Sequence, residues 1–563
     1  MSNQMKGAYI LMESLLKENV DTIFGYPGGS IMPTFDALYD YMDKFNYVLT
    51  RHEQGATHAA QGYARVSGKT GVCLVTSGPG ATNAITGIAD AMMDSTPLVV
   101  IAGQAGAAFL GTDAFQEVDL IGCTLPITKW SYQIRSAADI APAVAKAFHI
   151  ANSGRKGPVV LDFAKNAQVE MAEFNYEKCH FTRGYIPFTA IKPTQIDAAA
   201  EIINNAKKPL ALVGQGVILG NAEAELKAFL EKADIPAGST LLGLSALPSD
   251  HRLNKGMLGM HGNVGPNIKT NEADVIIAIG MRFDDRVTGD LKTYAKQAKI
   301  VHLDIDNAEL DKNVKATAKV LGDVKASLPE LTLKIKEAKH TQWIESFHEY
   351  EVKEDEKVIR PEVYATEGPL KMGEVVRKIS EATNNDAVLV TDVGQNQIMA
   401  ARYFKFTKSR SVVTSGGLGT MGFGIPAAIG AKIGAPKRTV CMFAGDGGFQ
   451  MTIQELGTIM EKQIGVKMII LNNNYLGMVR QWQELFFKKR YSSTPMMNPH
   501  FNTIADAYGI KNKEVSTREE LDTAIKEMFA DDKPYLLIAN CEEMGMVYPM
   551  VPAGETVTNI LLG

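Results

Sequence analysis

Short apolar runs rich in β-branched residues recur along the chain, and each is followed by a glycine-rich turn and then by a helical pattern. The runs at residues 71–76, 98–102 and 159–163 have apolar residues at adjacent positions rather than only at alternate ones. Strands of this kind are buried on both faces, which is typical of the central strands of parallel sheets covered by helices. The pattern therefore predicts an α/β protein.

The same pattern divides the chain into three blocks. The polar, irregular residues 171–192 follow the first block, and a segment rich in Glu and Lys at residues 334–360, interpreted as a solvated helix and linker, follows the second. The later apolar runs are at residues 209–214, 275–280, 300–305, 387–390, 439–443 and 468–471. We expect three doubly wound parallel-sheet domains of similar size, at residues 1–170, 190–335 and 365–550.

Composition and charge narrow the classes of protein. Of the 563 residues 45% are hydrophobic and 21% are charged, and the formal net charge of −5 gives no bulk attraction to nucleic acid. Five scattered cysteines without a Cys-x-x-Cys pair are expected to be reduced thiols. Residues 1–6 do not predict a signal peptide, and no apolar stretch reaches the ~20 residues of a membrane helix. We expect a cytoplasmic protein with no nucleic-acid or membrane partner.

Two strand ends in the third block carry ligands for a phosphate group and a cation. Residues 445–449 read Gly-Asp-Gly-Gly-Phe before a helical pattern at residues 452–462, and residues 472–474 read Asn-Asn-Asn after the next strand. Glycines let backbone amides approach an anion, and a helix N-terminus favours its charge. Carboxylate and amide oxygens at the carboxyl edge of the sheet suit Mg²⁺. Either motif alone is usually a tight turn, but the two together favour a magnesium–diphosphate site.

This Gly-Asp-Gly and Asn-Asn pattern resembles the diphosphate-binding motif of thiamin-diphosphate enzymes. The resemblance implies that Mg²⁺ is bound by the side chains of Asp446 and Asn473 and by the backbone carbonyl of Tyr475. It assigns further cofactor contacts to the glycines after Asp446, to a second strand-end loop and to a Met that supports the bent cofactor: Gly447, Gly448, Gly394, Gln395, Asn396 and Met421. Many relatives have His where Asn396 stands, and Asn retains a hydrogen-bond donor.

In the first block, residues 51–56 read Arg-His-Glu-Gln-Gly-Ala and resemble the catalytic-glutamate motif of the same enzymes. The resemblance implies that Glu53 shares a proton with the aminopyrimidine ring of the cofactor. In these enzymes the glutamate reaches a cofactor bound by the partner chain, which implies a homodimer or homotetramer. The glycine-rich turn at residues 25–29 is a further match to these enzymes, and the resemblance implies that Gly29 contacts the cofactor. The resemblance also implies a catalytic role for Gln116 and substrate contacts for Phe115 and Lys165.

The middle block resembles that of the FAD-containing acetohydroxyacid (acetolactate) synthases. Residues 259–262, Gly-Met-His-Gly, and residues 282–289, Arg-Phe-Asp-Asp-Arg-Val-Thr-Gly, are similar to their FAD-binding segments. A surface network of salt bridges is the alternative for such a run of Arg and Asp. The implied FAD contacts are Arg155, Met260, His261, Arg282, Asp284, Arg286, Asp304, Asp306 and Asp323. The cofactors implied for the whole chain are thiamin diphosphate, Mg²⁺ and FAD.

Trp482 and Met478 match the residues of these synthases that shape the pocket for the accepting 2-ketoacid. The resemblance spans about residues 5–555. It implies decarboxylation of pyruvate and transfer of the two-carbon unit to a second pyruvate or to 2-ketobutyrate, which gives 2-acetolactate or 2-aceto-2-hydroxybutyrate in branched-chain amino-acid biosynthesis. Residues 104–108, Gln-Ala-Gly-Ala-Ala, lack the Val-Pro of many relatives, a departure that bears on substrate affinity and inhibitor sensitivity.

Two alternatives stay open at this point. The first is a pyruvate oxidase that uses its flavin, or another thiamin-diphosphate decarboxylase. The second is a non-catalytic member of the fold, which would be expected to lack Glu53, Asp446 or Asn473, although all three are present. The family also allows a small regulatory subunit as a partner.

Overall fold

The computed structural model describes residues 4–187 and 190–563, so the first three residues of the amino-terminal segment lie outside the described residues. Within these ranges the strands form three six-stranded sheets and one two-stranded pair. Each six-stranded sheet is entirely parallel and is flanked by helices, which confirms the predicted α/β fold class. Among the described residues, no helix combines the length and the apolar character that a membrane span requires.

The N-terminal sheet is covered by helices on both faces. Its six strands are β2 (Thr22–Gly25), β3 (Asn46–Leu49), β4 (Gly71–Val75), β5 (Leu98–Gln104), β6 (Trp130–Ile134) and β7 (Pro158–Ala164). Two short strands, β1 (Gln4–Lys6) and β8 (Met171–Glu173), form a separate pair. The sheet order is β3-β2-β4-β5-β7-β6, while β8 pairs antiparallel with β1 inside the stretch predicted to be irregular. The helices are Gly7–Lys17, Met32–Tyr39, Glu53–Ser67, Pro79–Asn83, Ile85–Met93, Leu120–Thr124, Ile140–Asn152 and Lys165–Val169, with 3-10 turns at Ala107–Phe109, Leu125–Ile127 and Ala137–Asp139.

The middle sheet has the order β11-β10-β9-β12-β13-β14, and its strands are β9 (Pro209–Val213), β10 (Ala237–Ser239), β11 (Asn254–Met257), β12 (Val275–Ile279), β13 (Lys299–Asp304) and β14 (Ala318–Leu321). Its helices are Pro193–Asn204, Gly216–Leu219, Glu223–Ala233, Val264–Thr270, Asp285–Thr288 and Val324–Lys334, with a 3-10 turn at Leu241–Gly243. The residues of β12 are all buried, as its unbroken apolar run predicts.

The charged segment after the middle sheet is more buried than its composition predicts. It forms the helices Thr341–Glu345, His348–Glu354 and Arg360–Val363, with a π-helix at Asp355–Ile359. Trp343 and Phe347 are buried against the middle domain, and the buried Glu354 forms an ion pair with the buried Arg402 of the C-terminal domain. The segment therefore connects the two domains through packing as well as through the chain.

The C-terminal sheet has the order β16-β15-β17-β18-β20-β19, and its strands are β15 (Val388–Thr391), β16 (Val412–Val413), β17 (Val440–Gly445), β18 (Val466–Asn472), β19 (Lys511–Val515) and β20 (Tyr535–Asn540). Its helices are Met372–Ala382, Gln395–Tyr403, Gly424–Gly434, Asp446–Met451, Leu456–Lys462, Gly477–Phe486, Phe501–Ala507 and Arg518–Met528, with a 3-10 turn at Ile453–Glu455. The helix predicted from residue 452 therefore starts earlier, at Asp446. It is interrupted at Thr452, whose hydroxyl donates a 2.8 Å hydrogen bond to the carbonyl of Gly422.

One helix of the N-terminal domain and one of the C-terminal domain pack so closely that their backbones are in contact. A Cβ atom at Gly62 would lie 2.0 Å from the carbonyl oxygen of Ala427, and one at Gly430 would lie 1.7 Å from that of Ala59. Glycine at both positions lets helices Glu53–Ser67 and Gly424–Gly434 approach this closely. Side chains from both domains consequently share one apolar core. The domain limits given above, residues 1–170, 190–335 and 365–550, stay a prediction.

Candidate active site

Polar residues that follow three neighbouring strands meet at the carboxyl edge of the C-terminal sheet. Asp392 follows β15, Asp446 follows β17 and Asn473 follows β18, and β17 pairs with both other strands. Gln395 links two of these ends, because its Oε1 accepts a 3.2 Å hydrogen bond from Nδ2 of Asn473. The residues predicted from the two strand-end loops are thus brought together where open α/β sheets bind ligands.

The carboxylate of Asp446 is buried and only half satisfied. Its Oδ2 accepts a 2.6 Å hydrogen bond from Nδ2 of Asn498. Its Oδ1 is buried and has no hydrogen-bond partner among the described residues. Burial raises the pKa of Asp446 above its ordinary value, so a neighbouring cation would offset the cost of the charge. An unpaired buried carboxylate oxygen fits a Mg²⁺ ligand.

The other predicted Mg²⁺ ligands lie in the turn after β18. Asn473 is buried, and its Oδ1 accepts a 3.3 Å hydrogen bond from the amide of Tyr475. An antiparallel bridge between Tyr475 and Pro495 is made by the amide of Leu476 and the carbonyl of Asn474. That pairing does not use the carbonyl of Tyr475. Among the described residues no group of three or more His, Cys, Asp or Glu side chains is arranged for a metal, so a cation here would take one carboxylate with neutral oxygens, a donor set that suits hard Mg²⁺.

The glycines after Asp446 are required by close approach. A Cβ at Gly448 would lie 2.2 Å from Oδ1 of Asp392, and one at Gly447 would lie 2.6 Å from Cδ2 of Leu476. The same atom at Gly447 would lie 3.8 Å from Cε of Met421, so the predicted cofactor support and the glycine turn are neighbours. Asp392 accepts hydrogen bonds from three backbone amides, those of Val393, Gly422 and Gly424, and so fixes the loop that carries Met421.

The loop after β15 also contains an unsatisfied polar group. Gly394 has a φ of 127°, a conformation that favours glycine. Nδ2 of Asn396 donates a 3.2 Å hydrogen bond to the carbonyl of Val393, whereas its Oδ1 is buried without a partner in the described chain. A bound polar ligand would satisfy such a group.

Glu53 begins the helix Glu53–Ser67 and is 8% exposed. Nδ2 of Asn83 donates a 3.0 Å hydrogen bond to its Oε2, and a Cβ at Gly80 would lie 3.1 Å from its Oε1. The glycine-rich turn at residues 77–83 is therefore placed against the predicted catalytic carboxyl. Gly29, on the neighbouring turn, is exposed, and a Cβ there would meet no atom within 4 Å.

A cavity of about 840 Å³ is lined by residues of all three domains, and its volume is in the range of cofactor sites. It extends to Gly394 and to Met478 and Trp482 on the helix Gly477–Phe486. Its lining includes eight of the nine residues predicted to contact FAD: Arg155, Met260, His261, Arg282, Asp284, Arg286, Asp304 and Asp323. The ninth, Asp306, is not part of this lining, and its Oδ2 lies 3.3 Å from Nη1 of the lining residue Arg155. The mixture of arginines, carboxylates and apolar walls fits a large ligand with a diphosphate.

Comparison with known proteins gives matches along nearly the whole chain. Three family models of thiamine pyrophosphate enzymes match: the N-terminal TPP binding domain at residues 5–123, the central domain at residues 196–331 and the C-terminal TPP binding domain at residues 392–539. The acetolactate synthase isozyme 2 large subunit of Escherichia coli is 43% identical over 561 residues, 99% of each chain. The acetolactate synthase large subunit of Lactococcus lactis is 43% identical over 97% of this chain and 94% of its own. A probable acetolactate synthase large subunit of Methanocaldococcus jannaschii is 44% identical over 99% and 95%.

The chain belongs to the acetolactate synthase large-subunit family. This confirms the resemblance inferred from the strand-end motifs and the middle block. The predicted thiamin diphosphate, Mg²⁺ and FAD agree with the family assignment. None of the three relatives is named an oxidase, and the alternative of a pyruvate oxidase gains no support from them.

Two carboxylates of the large cavity also have local roles. Oδ1 of Asp284 accepts hydrogen bonds from the amides of Arg286 and Val287 and caps the helix Asp285–Thr288. Asp323 caps the helix Val324–Lys334 in the same way. Burial raises the pKa of Asp304 to about 7. Helix capping therefore gives Asp284 and Asp323 a structural role of their own. The FAD role of each residue stays a prediction.

Two more polar residues of this cavity are held by partners. Nη1 of Arg155 lies 2.8 Å from Oε1 of Glu309 and 3.3 Å from Oδ2 of Asp306. Burial lowers the pKa of His261 to about 4, and its Nδ1 lies 3.0 Å from the carbonyl oxygen of Pro549. His261 is therefore neutral near pH 7, so it would offer a ligand hydrogen bonds rather than charge.

The residues assigned to the substrate divide into two groups. Met478 and Trp482 line the large cavity, and the ring of Trp482 lies 5.5 Å from that of Phe486. Phe115 is 90% exposed, and Lys165 is exposed at the start of the helix Lys165–Val169. Gln116 has a φ of 59° on the same exposed loop as Phe115. The substrate roles of these residues stay predictions.

The sequence patterns did not point to three polar residues of the site. Asn498 lies 52 positions after the Asp446 that it contacts, in a polar segment without a motif. Asp90 and Asp94, on or just after the helix Ile85–Met93, are buried and hold the glycine-rich loop at residues 415–420. Asp94 accepts the amides of Gly416 and Gly417 at 2.9 and 2.7 Å. An acidic pair four residues apart in an otherwise apolar helix is the one available signal.

Proposed function

We propose that this chain decarboxylates pyruvate and joins the two-carbon unit to a second 2-ketoacid. A second pyruvate gives 2-acetolactate, and 2-ketobutyrate gives 2-aceto-2-hydroxybutyrate. The observation that carries the proposal is the combination of a strand-end polar cluster suited to Mg²⁺ with a large cavity that is lined by eight of the predicted FAD residues and reaches Trp482. The names of relatives at 43–44% identity support the same reaction.

Asp446, Asn473 and the carbonyl of Tyr475 would hold Mg²⁺, and Gly447 and Gly448 would admit the diphosphate beside it. The unpaired Oδ1 of Asp446 supports this assignment. When bound, thiamin diphosphate supplies the nucleophilic carbon and the electron sink that decarboxylation of a 2-ketoacid requires. Met421 would hold the bent form of the cofactor, since its Cε borders the Gly447 turn.

Glu53 would hold a proton at a ring nitrogen of the aminopyrimidine and so promote loss of the proton from the thiazolium carbon. Asn83 fixes the carboxyl for that task through its 3.0 Å hydrogen bond. The hydrogen bond from Asn83 and the close approach of Gly80 both come from the N-terminal domain. We propose that it acts on the cofactor bound by a second copy of the chain, in a homodimer or homotetramer.

Trp482 and Met478 would shape the pocket for the accepting ketoacid, and Phe115, Gln116 and Lys165 would complete it. An indole wall favours the longer side chain of 2-ketobutyrate, but one methylene discriminates by only ~1–3 kcal/mol. FAD would be held by the arginines of the cavity, without net oxidation or reduction in this reaction. Because the relatives are named large subunits, a small regulatory subunit is the expected partner. The cytoplasmic location stays a prediction.

The test is incubation with pyruvate, thiamin diphosphate, Mg²⁺ and FAD, with acetolactate measured and each cofactor omitted in turn. We expect acetolactate in the complete mixture and its loss when thiamin diphosphate or Mg²⁺ is removed. A pyruvate oxidase would instead reduce its flavin at the rate of pyruvate consumption and form no acetolactate. Glu53→Gln should lower turnover at saturating cofactor by at least ~100-fold, and unchanged turnover would remove Glu53 from the mechanism.

A further inference from the structure

The turn that carries Glu53 rests on a buried carboxyl of the C-terminal domain. The backbone amide of Arg51 donates a 2.9 Å hydrogen bond to Oε1 of Glu455. The hydroxyl of Thr458 lies 2.8 Å from Oε2 of Glu455 and 3.1 Å from the carbonyl oxygen of Leu49. Glu455 is completely buried. Glu455, at the end of the 3-10 turn Ile453–Glu455, therefore binds the residue two before Glu53 directly and is linked to the end of β3 through Thr458.

The first turn of the Glu53 helix is shaped to admit this carboxyl. A Cβ at Gly55 would lie 2.3 Å from Oε1 of Glu455, so any other residue would displace the carboxyl or the helix. Gly55 is in ordinary helical conformation, and the need for glycine comes from the close approach alone. The contact thus constrains the backbone on both sides of Glu53, at Arg51 and at Gly55.

A second interdomain contact in the same place is exposed and serves as a natural comparison. The guanidinium of Arg51 lies 2.7 Å from Oε2 of Glu461, and these side chains are 27% and 43% exposed. Exposed pairs of this kind contribute little to stability, whereas removing the acceptor of a buried hydrogen bond has a larger cost. If the side chain of Arg51 positions Glu53, Glu461 is the important partner. If the backbone amide of Arg51 positions Glu53, Glu455 is the important partner.

We propose that Glu455 is a positioning residue for Glu53, which it aims by holding the amide of Arg51 and the first turn of the helix Glu53–Ser67. The inference rests on the proposed role of Glu53. A catalytic group displaced by about 1 Å can lose a factor of about 100 in rate, and Glu455 is the buried acceptor from the C-terminal domain for the amide of Arg51.

The first readout uses the chain without cofactor or substrate. Hydrogen–deuterium exchange of peptides that contain residues 49–55 reports the hydrogen bond from the amide of Arg51 directly. Glu455→Ala should speed exchange in this peptide. Glu455→Gln, which keeps an acceptor for that amide, and Glu461→Gln, which removes only the exposed pair, should leave it close to wild type.

The second readout is the rate at which the thiazolium proton of bound thiamin diphosphate exchanges with deuterium, measured by acid quench and NMR. We expect a loss of about 10- to 100-fold in Glu455→Ala, with KM for pyruvate changed less than about two-fold and with partial rescue in Glu455→Gln. A merely structural role would lower the unfolding temperature without this loss. A wild-type rate of thiazolium proton exchange in folded Glu455→Ala would overturn the proposal.

Two further variants keep the test decisive. Gly55→Ala leaves Glu455 in place and inserts the Cβ that would lie 2.3 Å from its carboxyl. Because Ala favours helix more than Gly does, a slower proton exchange in this variant would come from the lost contact, and wild-type exchange would contradict the proposal even if Glu455→Ala failed to fold. Glu53→Gln separates failure of the Glu455 proposal from failure of the proposed role of Glu53. If the thiazolium proton exchanges at the wild-type rate in Glu53→Gln, the proposed role of Glu53 fails. If that exchange is slow in Glu53→Gln but normal in Glu455→Ala, only the positioning role of Glu455 fails.

Discussion

The guanidinium of Arg65 lies 2.7 Å from the carboxylate of Asp94, and the two side chains are only 5% and 0% exposed. Arg65 is on the helix that Glu53 begins, and it also donates to the carbonyl of Thr414 in the C-terminal domain. Asp94 accepts the amides of Gly416 and Gly417. The pair therefore connects the two domains at the glycine-rich loop that borders the large cavity.

Replacing Asp94 by Ala should strongly destabilise the protein. The change leaves the guanidinium of Arg65 buried without its partner and two backbone amides without an acceptor, and removal of one member of a buried pair typically costs about 3–5 kcal/mol. The measurement is the free energy of unfolding by urea titration. The matched control is Asp197→Asn, which breaks the exposed pair with Lys334 and should cost less than about 1 kcal/mol. Equal effects in the two variants would contradict the role given to the buried pair.

Asn498→Ala should weaken Mg²⁺ binding without removing a predicted ligand. The side chain of Asn498 orients the carboxylate of Asp446 through its 2.6 Å hydrogen bond, and loss of such a supporting partner typically reduces metal affinity about 10- to 100-fold. Mn²⁺ as a substitute ion, titrated by EPR in the presence of thiamin diphosphate, gives the dissociation constant. Asn512→Ala, which removes a hydrogen bond to Asp506 in the same domain, is the control. Wild-type affinity in Asn498→Ala would argue against the Asp446 metal site.

Much of this architecture could be predicted because its strands are buried on both faces. The run predicted at residues 275–280 is observed as Val275–Ile279, and that at residues 468–471 lies within Val466–Asn472. The ligands at the strand ends were equally visible, since Asp446 and Asn473 directly follow such runs. Parallel pairing alone then places them at one edge of the sheet.

Contacts between distant segments could not be predicted from local pattern. Asn498 and Asp446 meet only because the chain returns after the helix Gly477–Phe486. The composition of residues 334–360 predicts a solvated segment, yet Glu354 is buried in an ion pair with Arg402 of another domain. Neither partner is near the other in sequence. The substrate roles of Phe115 and Lys165 stay predictions, because both side chains are exposed in the described chain.

Arg282→Ala should loosen FAD. Arg282 lines the large cavity, and a Cβ at Gly417 would lie 3.4 Å from its Nη2, which places the guanidinium beside the glycine-rich loop. Loss of a hydrogen bond to a charged ligand group costs about 1.5–3 kcal/mol, or about 10- to 100-fold in affinity. Flavin absorbance retained after gel filtration, followed by FAD titration, measures the change. Lys296→Ala, on the exposed surface of the same domain, should retain flavin like the wild type. If Arg282→Ala also retained flavin like the wild type, Arg282 would be excluded from the FAD site.

Asp162→Asn should change the pH dependence of stability. Asp162 is completely buried on β7, and burial raises its pKa to about 6, although the amides of Gln133 and Gln104 donate to its Oδ2 at 2.7 and 3.3 Å. Between the unfolded pKa of about 3.9 and pH 6 the folded chain keeps a proton that the unfolded chain loses, so this group makes the unfolding free energy fall as pH rises. The neutral Asn has no such proton.

The unfolding free energy of Asp162→Asn relative to wild type should therefore increase from pH 4 to pH 6.5 by up to about 3 kcal/mol, at about 1.4 kcal/mol per pKa unit. Urea titrations of both proteins across this range measure the difference. Asp197→Asn, which changes an exposed carboxylate in the same way, is the matched control for this titration. A pH-independent difference for Asp162→Asn would mean that the unpaired Oδ1 of Asp162 is stabilised as a charge in the folded protein, and that burial does not control this carboxyl.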